Sequence, residues 1–264
     1  MNASTKGTAL VTGASSGIGE VYAERLADRG YDLILVARRT ERLESLATKL
    51  RDRTGRQVEV LRADLSDRAG IDAVEQRLAT DEAITLLVNN AGVSLQGSIL
   101  DNDSAAIEQL VTVNITAPTL LSAVAAKAFK ARDKGGIINI ASVLALVPEL
   151  FDGIYSGSKA HVVNITLGLA SQLKDTKVRA QAVLPGATRS EIWEKSGKDV
   201  DALMPGKVME TADLVDAALL GYDRGEVVTL PTLHDDGHYA AYDQARLTMA
   251  PLLANKDVAP RYRA

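Results

Sequence analysis

The chain has 264 residues, of which 46% are hydrophobic, and its 30 basic and 34 acidic side chains leave a formal net charge of -4. This length and composition predict a globular protein with a single α/β domain over residues 1–264, and they argue against disorder as the main state. The mild acidity argues against a nucleic-acid partner, which usually meets a basic face. Because the chain has no cysteine, disulfide bonds, thiolate zinc sites and a cysteine nucleophile are excluded, and no metal site is predicted.

The start of the chain gives no targeting signal. Residues Met1–Gly7 are polar and lead directly into an apolar run, without the basic-then-apolar order of a secretory leader. No apolar run approaches the roughly 18 residues expected of a membrane span. A cytoplasmic protein without a membrane partner is therefore expected.

Short apolar runs alternate with longer amphipathic segments along the chain. Strands are predicted at residues 8–12, 32–37, 58–62, 85–89, 137–141, 178–184 and 227–230. Helices are predicted at residues 17–29, 41–53, 67–80, 104–131, 155–173 and 211–222. Strands without polar alternation are buried on both faces, and strand–helix alternation is typical of βαβ units. The pattern predicts an α/β, Rossmann-like doubly wound sandwich, with a seven-stranded parallel sheet and helices on both faces.

Two segments lack clear periodicity. Residues 187–210 follow a predicted strand and contain the single tryptophan, Trp193, so we expect a lid over a ligand site there. Residues 234–264 are expected to form a C-terminal cap or tail, in which Tyr239, Tyr242 and Leu247 can share one face of a helix.

A glycine-rich turn follows the first predicted strand, with the spacing G-x-x-x-G-x-G. Glycines allow a tight turn in which backbone N–H groups approach a pyrophosphate, and the next helix presents its positive N-terminus to that charge. The sequence therefore predicts a dinucleotide site, although a plain glycine-rich turn is the alternative. The residues of this turn are Gly13, Ser15, Ser16, Gly17, Ile18 and Gly19.

The same turn also fits the G-x-S-x-G pattern of a serine hydrolase, with Ser15 as the nucleophile. That chemistry needs a histidine and an acid beside the serine. The chain has three histidines, His161, His234 and His238. A turn after the first strand has no preceding sheet to carry the nucleophile, so this alternative is disfavoured.

The residues after the second predicted strand indicate which dinucleotide is bound. An acid at this place would bond the ribose 2′-hydroxyl, but the chain has Arg38 and Arg39 instead. Two guanidinium groups suit a 2′-phosphate, which predicts NADP(H) and leaves NAD(H) as the less favoured cofactor. Either arginine alone could be a solvated helix-start residue. Asp64 fits contact with the adenine amino group and a helix N-cap before Asp67 equally well.

Three polar residues form a candidate proton-transfer group. Tyr155 and Lys159 are four residues apart and share one face of a predicted helix, and Ser142 lies thirteen residues before the tyrosine. A free tyrosine has a pKa near about 10, and a neighbouring ammonium favours the phenolate. A serine hydroxyl can hydrogen-bond the oxygen on which charge changes. Together they predict proton exchange with a carbonyl oxygen, although Tyr-x-x-x-Lys alone is common on surface helices.

In chain order, these motifs resemble the short-chain dehydrogenase/reductase family. The matching residues are Thr12-Gly13-x-x-x-Gly17-x-Gly19, Asn89-Asn90-Ala91-Gly92, Asn114, Ser142, Tyr155-x-x-x-Lys159 and Pro185-Gly186 with Thr188. The resemblance covers about residues 7–230. It implies an NADP(H)-dependent oxidoreductase that interconverts a carbonyl and a secondary alcohol, as a homodimer or homotetramer. A catalytically silent NADPH-binding sensor or scaffold is the alternative.

The resemblance also implies a role for each matching residue. Ser142 would polarise the substrate oxygen and Tyr155 would exchange its proton. Lys159 would tune Tyr155 and bind the nicotinamide ribose, and Asn114 would hold a water in a proton relay. The turn from Gly13 to Gly19 would hold the pyrophosphate, with Arg38 on the 2′-phosphate and Arg39 in support. The remaining implied cofactor contacts are Asp64, Leu65, Asn90, Ala91, Gly92, Pro185, Gly186 and Thr188.

A largely apolar set of residues is the candidate substrate pocket. Ser94 follows the fourth strand, Leu144 follows Ser142, and Ile192 and Trp193 lie on the expected lid. This lining favours a hydrophobic or medium-sized small-molecule carbonyl or alcohol. The alternative is that Ile192 and Trp193 only pack the lid segment onto the protein.

Overall fold

Buried apolar strands form the centre of the protein. The structure is a computed structural model that describes residues 6–97, 99–191, 193 and 199–263. Its strands are β1 (Thr8–Thr12), β2 (Asp32–Ala37), β3 (Val58–Arg62), β4 (Ile84–Asn89), β5 (Gly136–Ile140), β6 (Arg179–Val183) and β7 (Val228–Thr229). Over the described residues they form one seven-stranded sheet in the order β3-β2-β1-β4-β5-β6-β7, with every neighbouring pair parallel. The predicted fold class is confirmed.

Helices cover both faces of this sheet. The helices of the described residues are α1 (Gly17–Asp28), α2 (Thr40–Thr54), α3 (Arg68–Thr80), α4 (Ser104–Val111), α5 (Ala117–Ala131), α6 (Gly153–Gln172), α7 (Val200–Leu203), α8 (Thr211–Arg224) and α9 (Gly237–Met249). Buried side chains of α1, α2 and α8 form the core on one face, and those of α3 and α5 form the core on the other. The sandwich follows from strands that are apolar on both sides, because each face must be covered by an apolar helix stripe.

Helix ends account for most differences from the predicted boundaries. Asp67, Asp103 and Asp152 cap α3, α4 and α6 by accepting hydrogen bonds from backbone N–H groups of the first turn. Gly55 and Gly225 end α2 and α8 in the left-handed conformation. The short helix α7, within the segment expected to be a lid, was not predicted. Its four residues are too few to show the 3.6-residue hydrophobic period of a helix.

The predicted continuous helix over residues 104–131 is wrong in one detail. A π-helical turn, Thr112–Thr116, separates α4 from α5. By length and composition alone, this helical stretch is long and apolar enough to cross a membrane. Half of that window is buried within the described protein, and Leu121, Ala125 and Phe129 pack in the core beside α3. The apolar sequence is therefore explained by core packing.

The chain divides into two compact units, Met1–Pro231 and Thr232–Ala264. The sheet and the helices α1 to α8 belong to the first unit. The second unit holds α9, which contains Tyr239, Tyr242 and Leu247, and Tyr242 and Leu247 are each about half exposed, at 50% and 49%. The predicted single domain and the predicted cap role of the tail stay predictions.

Candidate active site

Many of the predicted site residues lie along one edge of the sheet. Six of them lie just beyond the carboxyl end of a strand, and the strands are parallel, so these ends meet on the same side. The chain order reverses between β1 and β4, which opens a crevice at this edge. From β1 to β6 in chain order, the residues at the strand ends are Gly13, Arg38, Asp64, Asn90, Ser142 and Pro185.

The glycine-rich turn is packed so closely that no side chain fits at two of its positions. Gly13 has a φ of +67°, and a Cβ there would lie 2.8 Å from Asn90 Nδ2. A Cβ on Gly19 would lie 2.4 Å from the Gly13 carbonyl oxygen. Asn90 Nδ2 in turn donates to the Thr12 carbonyl oxygen at 3.0 Å, and Thr12 Oγ1 accepts from Ala91 N at 3.1 Å. The turn is thus fixed to the end of β4 and fits a pyrophosphate approached by backbone N–H groups.

We predict that Gly19→Ala destabilises this turn. Its Cβ would collide with the carbonyl oxygen of Gly13, which cannot move without breaking the turn, so the free energy of unfolding should fall by about 2 kcal/mol or more. Urea unfolding measures the change. Gly168→Ala in α6 is the matched control, because a Cβ there meets nothing within 4 Å and the change should stabilise the helix by about 0.5–1 kcal/mol. Equal stability of the Gly19→Ala protein and the native protein would contradict the packing described here.

The two predicted phosphate-binding arginines contact different partners. Arg39 donates to the hydroxyl of Ser15 at 3.0 Å and to that of Ser16 at 2.7 Å, so it lies over the glycine-rich turn. Arg38 is 57% exposed and lies 3.8 Å from a carboxylate oxygen of Asp64. Burial acts to raise the pKa of Asp64, but hydrogen bonds from Ser66 and the charge of Arg38 hold that pKa below its usual value. Both arginines directly follow the carboxyl end of β2, and their binding of a 2′-phosphate stays a prediction.

Asp64 does not cap the third helix. Asp67 does so, by accepting from Gly70 N at 2.6 Å, whereas Asp64 accepts from the backbone N–H and the hydroxyl of Ser66. The N-cap alternative for Asp64 is therefore wrong. Leu65 lies in the core with 6% exposure, so it supports the crevice from below.

Ser142, Tyr155 and Lys159 come together at the end of β5. Lys159 and Ser142 are buried, at 5% and 6% exposure, and the Lys159 ammonium nitrogen lies 5.7 Å from the Tyr155 ring centroid. Lys159 Nζ donates to the Ile140 carbonyl oxygen at 3.0 Å, which fixes the ammonium to the sheet edge. A Cβ on Gly92 would lie 3.4 Å from this nitrogen, so glycine leaves room for the ammonium.

Burial shifts the pKa values of the tyrosine and the lysine in opposite directions. It raises the pKa of Tyr155 to about 12, and a hydrogen bond between the Ser142 and Tyr155 hydroxyls offsets part of that rise. It lowers the pKa of Lys159 to about 8. Desolvation is the largest influence on the pKa of Tyr155 in the chain by itself, and the tuning of Tyr155 by Lys159 stays a prediction. At neutral pH the phenol holds its proton.

We predict that Lys159 makes stability depend on pH. The folded chain releases the lysine proton near pH 8 and the unfolded chain near pH 10.5, so between these values the unfolded state holds more protons and stability rises with pH. Relative to Lys159→Met, the native protein should gain about 1–2 kcal/mol in free energy of unfolding from pH 7 to pH 9.5. Urea unfolding of both proteins at both pH values measures it. A stability difference that stays flat over this range would contradict the burial of a protonated lysine.

Asn114 lies in the π-helical turn between α4 and α5 and is 1% exposed. Its Oδ1 accepts from Val93 N at 2.9 Å, and its Nδ2 donates to the Val93 carbonyl oxygen at 2.8 Å and to Ser158 Oγ at 3.2 Å. The amide therefore joins the loop after β4 to the helix that carries Tyr155 and Lys159. Such turns are frequent at functional sites. The water-holding role of Asn114 stays a prediction.

The candidate substrate residues lie on loops around the same crevice. Ser142 Oγ accepts from Leu144 N at 3.2 Å, and Ser94 Oγ donates to the Leu95 carbonyl oxygen at 3.2 Å. Trp193 donates through its indole N–H to the Thr188 carbonyl oxygen at 2.9 Å, a contact within its own segment that favours the loop-packing interpretation. Ile192, like residues 194–198 of the expected lid, lies outside the described residues.

The residues after β6 tie the two ends of the expected lid together. Thr188 is 4% exposed, its hydroxyl donates to the Gly186 carbonyl oxygen at 3.1 Å, and it forms a parallel bridge with Met209. The Pro185 carbonyl oxygen accepts from Val143 N at 2.9 Å, which holds this loop beside Ser142. The implied nicotinamide contacts of Pro185, Gly186 and Thr188 stay predictions.

Sequence reasoning missed three residues at this edge. Glu191 forms ion pairs with Arg39 and Arg42, and Ser190 Cβ lies 3.4 Å from the place that a Cβ on Gly17 would take. Asp152 accepts from Tyr155 N at 3.0 Å and so fixes the start of α6. Only Asp152 had a readable signal, because an aspartate before an apolar helix is a typical N-cap. The other two depend on how the loop folds back.

The serine hydrolase alternative has no support in the geometry of Ser15. Its hydroxyl accepts hydrogen bonds from Arg39. His161 Nε2 instead lies 2.7 Å from Thr119 Oγ1. Among the described residues, no group of three or more histidines and carboxylates is arranged to hold a metal ion.

The doubly wound sheet with a glycine-rich turn at its switch point defines an α/β protein of the dinucleotide-binding class. The sequence pattern described as short chain dehydrogenase matches residues 7–201, and the chain belongs to this family. A short-chain dehydrogenase from Sphingobium yanoikuyae, solved in complex with NADPH, is 46% identical, with a TM-score of 0.94 over 97% of this chain and 100% of that chain.

Two further relatives are similar over different lengths. The bulky-bulky ketone specific alcohol dehydrogenase from Comamonas testosteroni is 41% identical, with a TM-score of 0.90 over 98% of this chain and 99% of that chain. The 17-beta-hydroxysteroid dehydrogenase type 3 of Homo sapiens is 36% identical over 181 residues. That match covers 68% of this chain and 58% of the human protein.

Proposed function

We propose that the protein is an NADP(H)-dependent oxidoreductase that interconverts a ketone and a secondary alcohol, with Tyr155 as the general acid and base. The observation that carries the proposal is the cluster of Ser142, Tyr155 and Lys159 at the crevice that the glycine-rich turn also borders. When bound, the nicotinamide supplies or accepts the hydride.

The chain's own groups have separate tasks in this proposal. The turn from Gly13 to Gly19 binds the pyrophosphate through backbone N–H groups, and Arg38 and Arg39 bind the 2′-phosphate. Support comes from the NADPH complex of the relative that is 46% identical. Because both arginines border the crevice, NADP(H) is the preferred cofactor over NAD(H).

In this proposal, Tyr155 and its neighbours carry out the proton transfer. The raised pKa keeps the Tyr155 hydroxyl protonated at neutral pH, so it can donate its proton to the oxygen of a bound ketone. The Ser142 hydroxyl hydrogen-bonds the same oxygen, and the Lys159 ammonium stabilises the phenolate that remains. Asn114 connects Lys159's helix to the loop after β4, where a relay water would restore the proton.

The substrate class follows from the segment between Ser142 and Tyr155. Two short helical turns lie there, Val143–Ala145 and Pro148–Leu150. Val147, just before the second turn, is 38% exposed, and Leu150, at its end, is 74% exposed. Exposed apolar groups beside a site favour a large hydrophobic ligand. The relative named for bulky-bulky ketones supports the same class, so we propose ketones with two large apolar substituents.

A substrate panel tests the proposal. The decrease of NADPH absorbance is followed by stopped flow with small aliphatic, aryl alkyl and diaryl ketones, and in parallel with NADH. We expect turnover that is fastest with the bulky ketones and with NADPH. Binding of NADPH without oxidation by any member of the panel would favour a silent sensor and overturn the enzymatic assignment.

A further inference from the structure

The carboxylate of Glu191 joins the segment after β6 to the arginines beside the glycine-rich turn. Its Oε2 lies 3.0 Å from Arg39 Nη1, and its Oε1 pairs with Arg42. The same Arg39 guanidinium donates to the hydroxyls of Ser15 and Ser16. One arginine therefore contacts both the phosphate turn and an acid that lies 152 residues further along the chain.

This region already balances its positive charge internally. Asp64 lies near Arg38, and Glu191 pairs with both Arg39 and Arg42. Glu20 also lies near Glu191. Burial raises the pKa of Glu20 most, and the negative charges of Glu24 and Glu191 raise it further. Glu191 is only 28% exposed, so water screens its charge less than that of a fully exposed acid.

We propose that Glu191 sets the cofactor preference by competing with the 2′-phosphate of NADP(H) for Arg39 and Arg42. This inference rests on the proposed cofactor. A 2′-phosphate carries up to two negative charges and needs the same guanidinium donors that Glu191 engages. A nucleotide without that phosphate leaves the ion pairs of Glu191 intact. Glu191 therefore weakens the binding of 2′-phosphorylated nucleotides selectively.

The alternative role for Glu191 is to position Arg39, and it predicts the opposite change in affinity for NADP⁺. If Glu191 served to hold Arg39 in place for the phosphate, removing its charge would release the guanidinium and weaken the binding of NADP⁺. The contacts of Arg39 with Ser15 and Ser16 argue against that role, because they fix the guanidinium without Glu191.

The test is the variant Glu191→Gln, which keeps the size of the side chain and removes its charge. Titration calorimetry of the full chain gives dissociation constants for NADP⁺, NAD⁺, adenosine 2′,5′-bisphosphate and adenosine 5′-monophosphate. We expect the two 2′-phosphorylated ligands to bind about 2- to 30-fold more tightly than to the native protein, the range that two partly exposed ion pairs can contribute. The other two ligands should keep their dissociation constants.

Glu210→Gln is the matched control, because Glu210 pairs with Arg189 at 2.9 Å in the same part of the chain. It should leave all four dissociation constants unchanged. An unchanged or weakened preference for the 2′-phosphate in Glu191→Gln would overturn the inference. The native protein tests the proposed cofactor separately: tighter binding of NAD⁺ than of NADP⁺ would contradict the NADP(H) assignment, whereas the change between native and variant tests Glu191 alone.

Discussion

Tyr155→Phe is expected to lower kcat by about three orders of magnitude or more, while the dissociation constant for NADPH changes less than twofold. The phenylalanine keeps the ring and its edge-to-face contact with Phe151, at 5.7 Å between centroids, but it has no proton to give. General acid catalysis typically contributes about 10²–10⁴-fold. Steady-state kinetics with a bulky ketone and fluorescence titration with NADPH measure the two quantities.

Tyr22→Phe is the matched control for the loss of a phenolic hydroxyl. Tyr22 is fully buried in α1, and its hydroxyl has no hydrogen-bond partner among the described residues. Its removal should leave kcat unchanged and keep or slightly raise the stability, because an unsatisfied buried hydroxyl destabilises the folded state. Turnover of Tyr155→Phe within tenfold of the native value would remove the catalytic assignment of Tyr155.

The double variant Arg38→Ala, Arg39→Ala is expected to lose at least about 100-fold in affinity for NADPH and little in affinity for NADH. Each guanidinium supplies charge-assisted hydrogen bonds to a phosphate, which are worth about 1.5–3 kcal/mol apiece. NADH lacks the 2′-phosphate and keeps its contacts with the glycine-rich turn. Fluorescence titration with both cofactors measures the change in preference.

Arg77→Ala is the control for the loss of a surface guanidinium. Arg77 pairs with Glu59 and Asp81 on α3, and both cofactors should bind its variant as they bind the native protein. An equal loss of affinity for NADH and NADPH in the double variant would show that the two arginines support the turn and do not read the 2′-phosphate.

The sequence predicted the sheet well because its strands are short apolar runs between strong helix signals. β1, β2 and β3 have the predicted boundaries, and the glycine spacing places the crevice at the end of β1. The order and spacing of the motifs predicted that Ser142, Tyr155 and Lys159 lie close together. Residues i and i+4 share a helix face, and the ends of parallel strands share a sheet edge.

Other features depend on distances that no local pattern encodes. The pKa of Tyr155 depends on how deeply the ring is buried and how far the ammonium lies from it. The residue spacing indicates a shared helix face but not the depth of burial. The pairing of Glu191 with Arg39 requires the segment after β6 to fold back over the glycine-rich turn. The π-helical turn at Asn114 could not be separated from a regular helix, since both have apolar residues around the amide.

The π-helical turn at Thr112–Thr116 affects how this part of the chain can evolve. Such a turn amounts to one residue more than a regular helix needs between its two halves. Loss of a single codon within Thr112–Thr116 would restore the regular ladder of backbone hydrogen bonds and would rotate the Asn114 amide away from Val93 and Ser158. A lineage that no longer needed these contacts would have a one-step route to a straighter helix, so at this turn the hydrogen bonds of Asn114 and simple helix formation oppose each other.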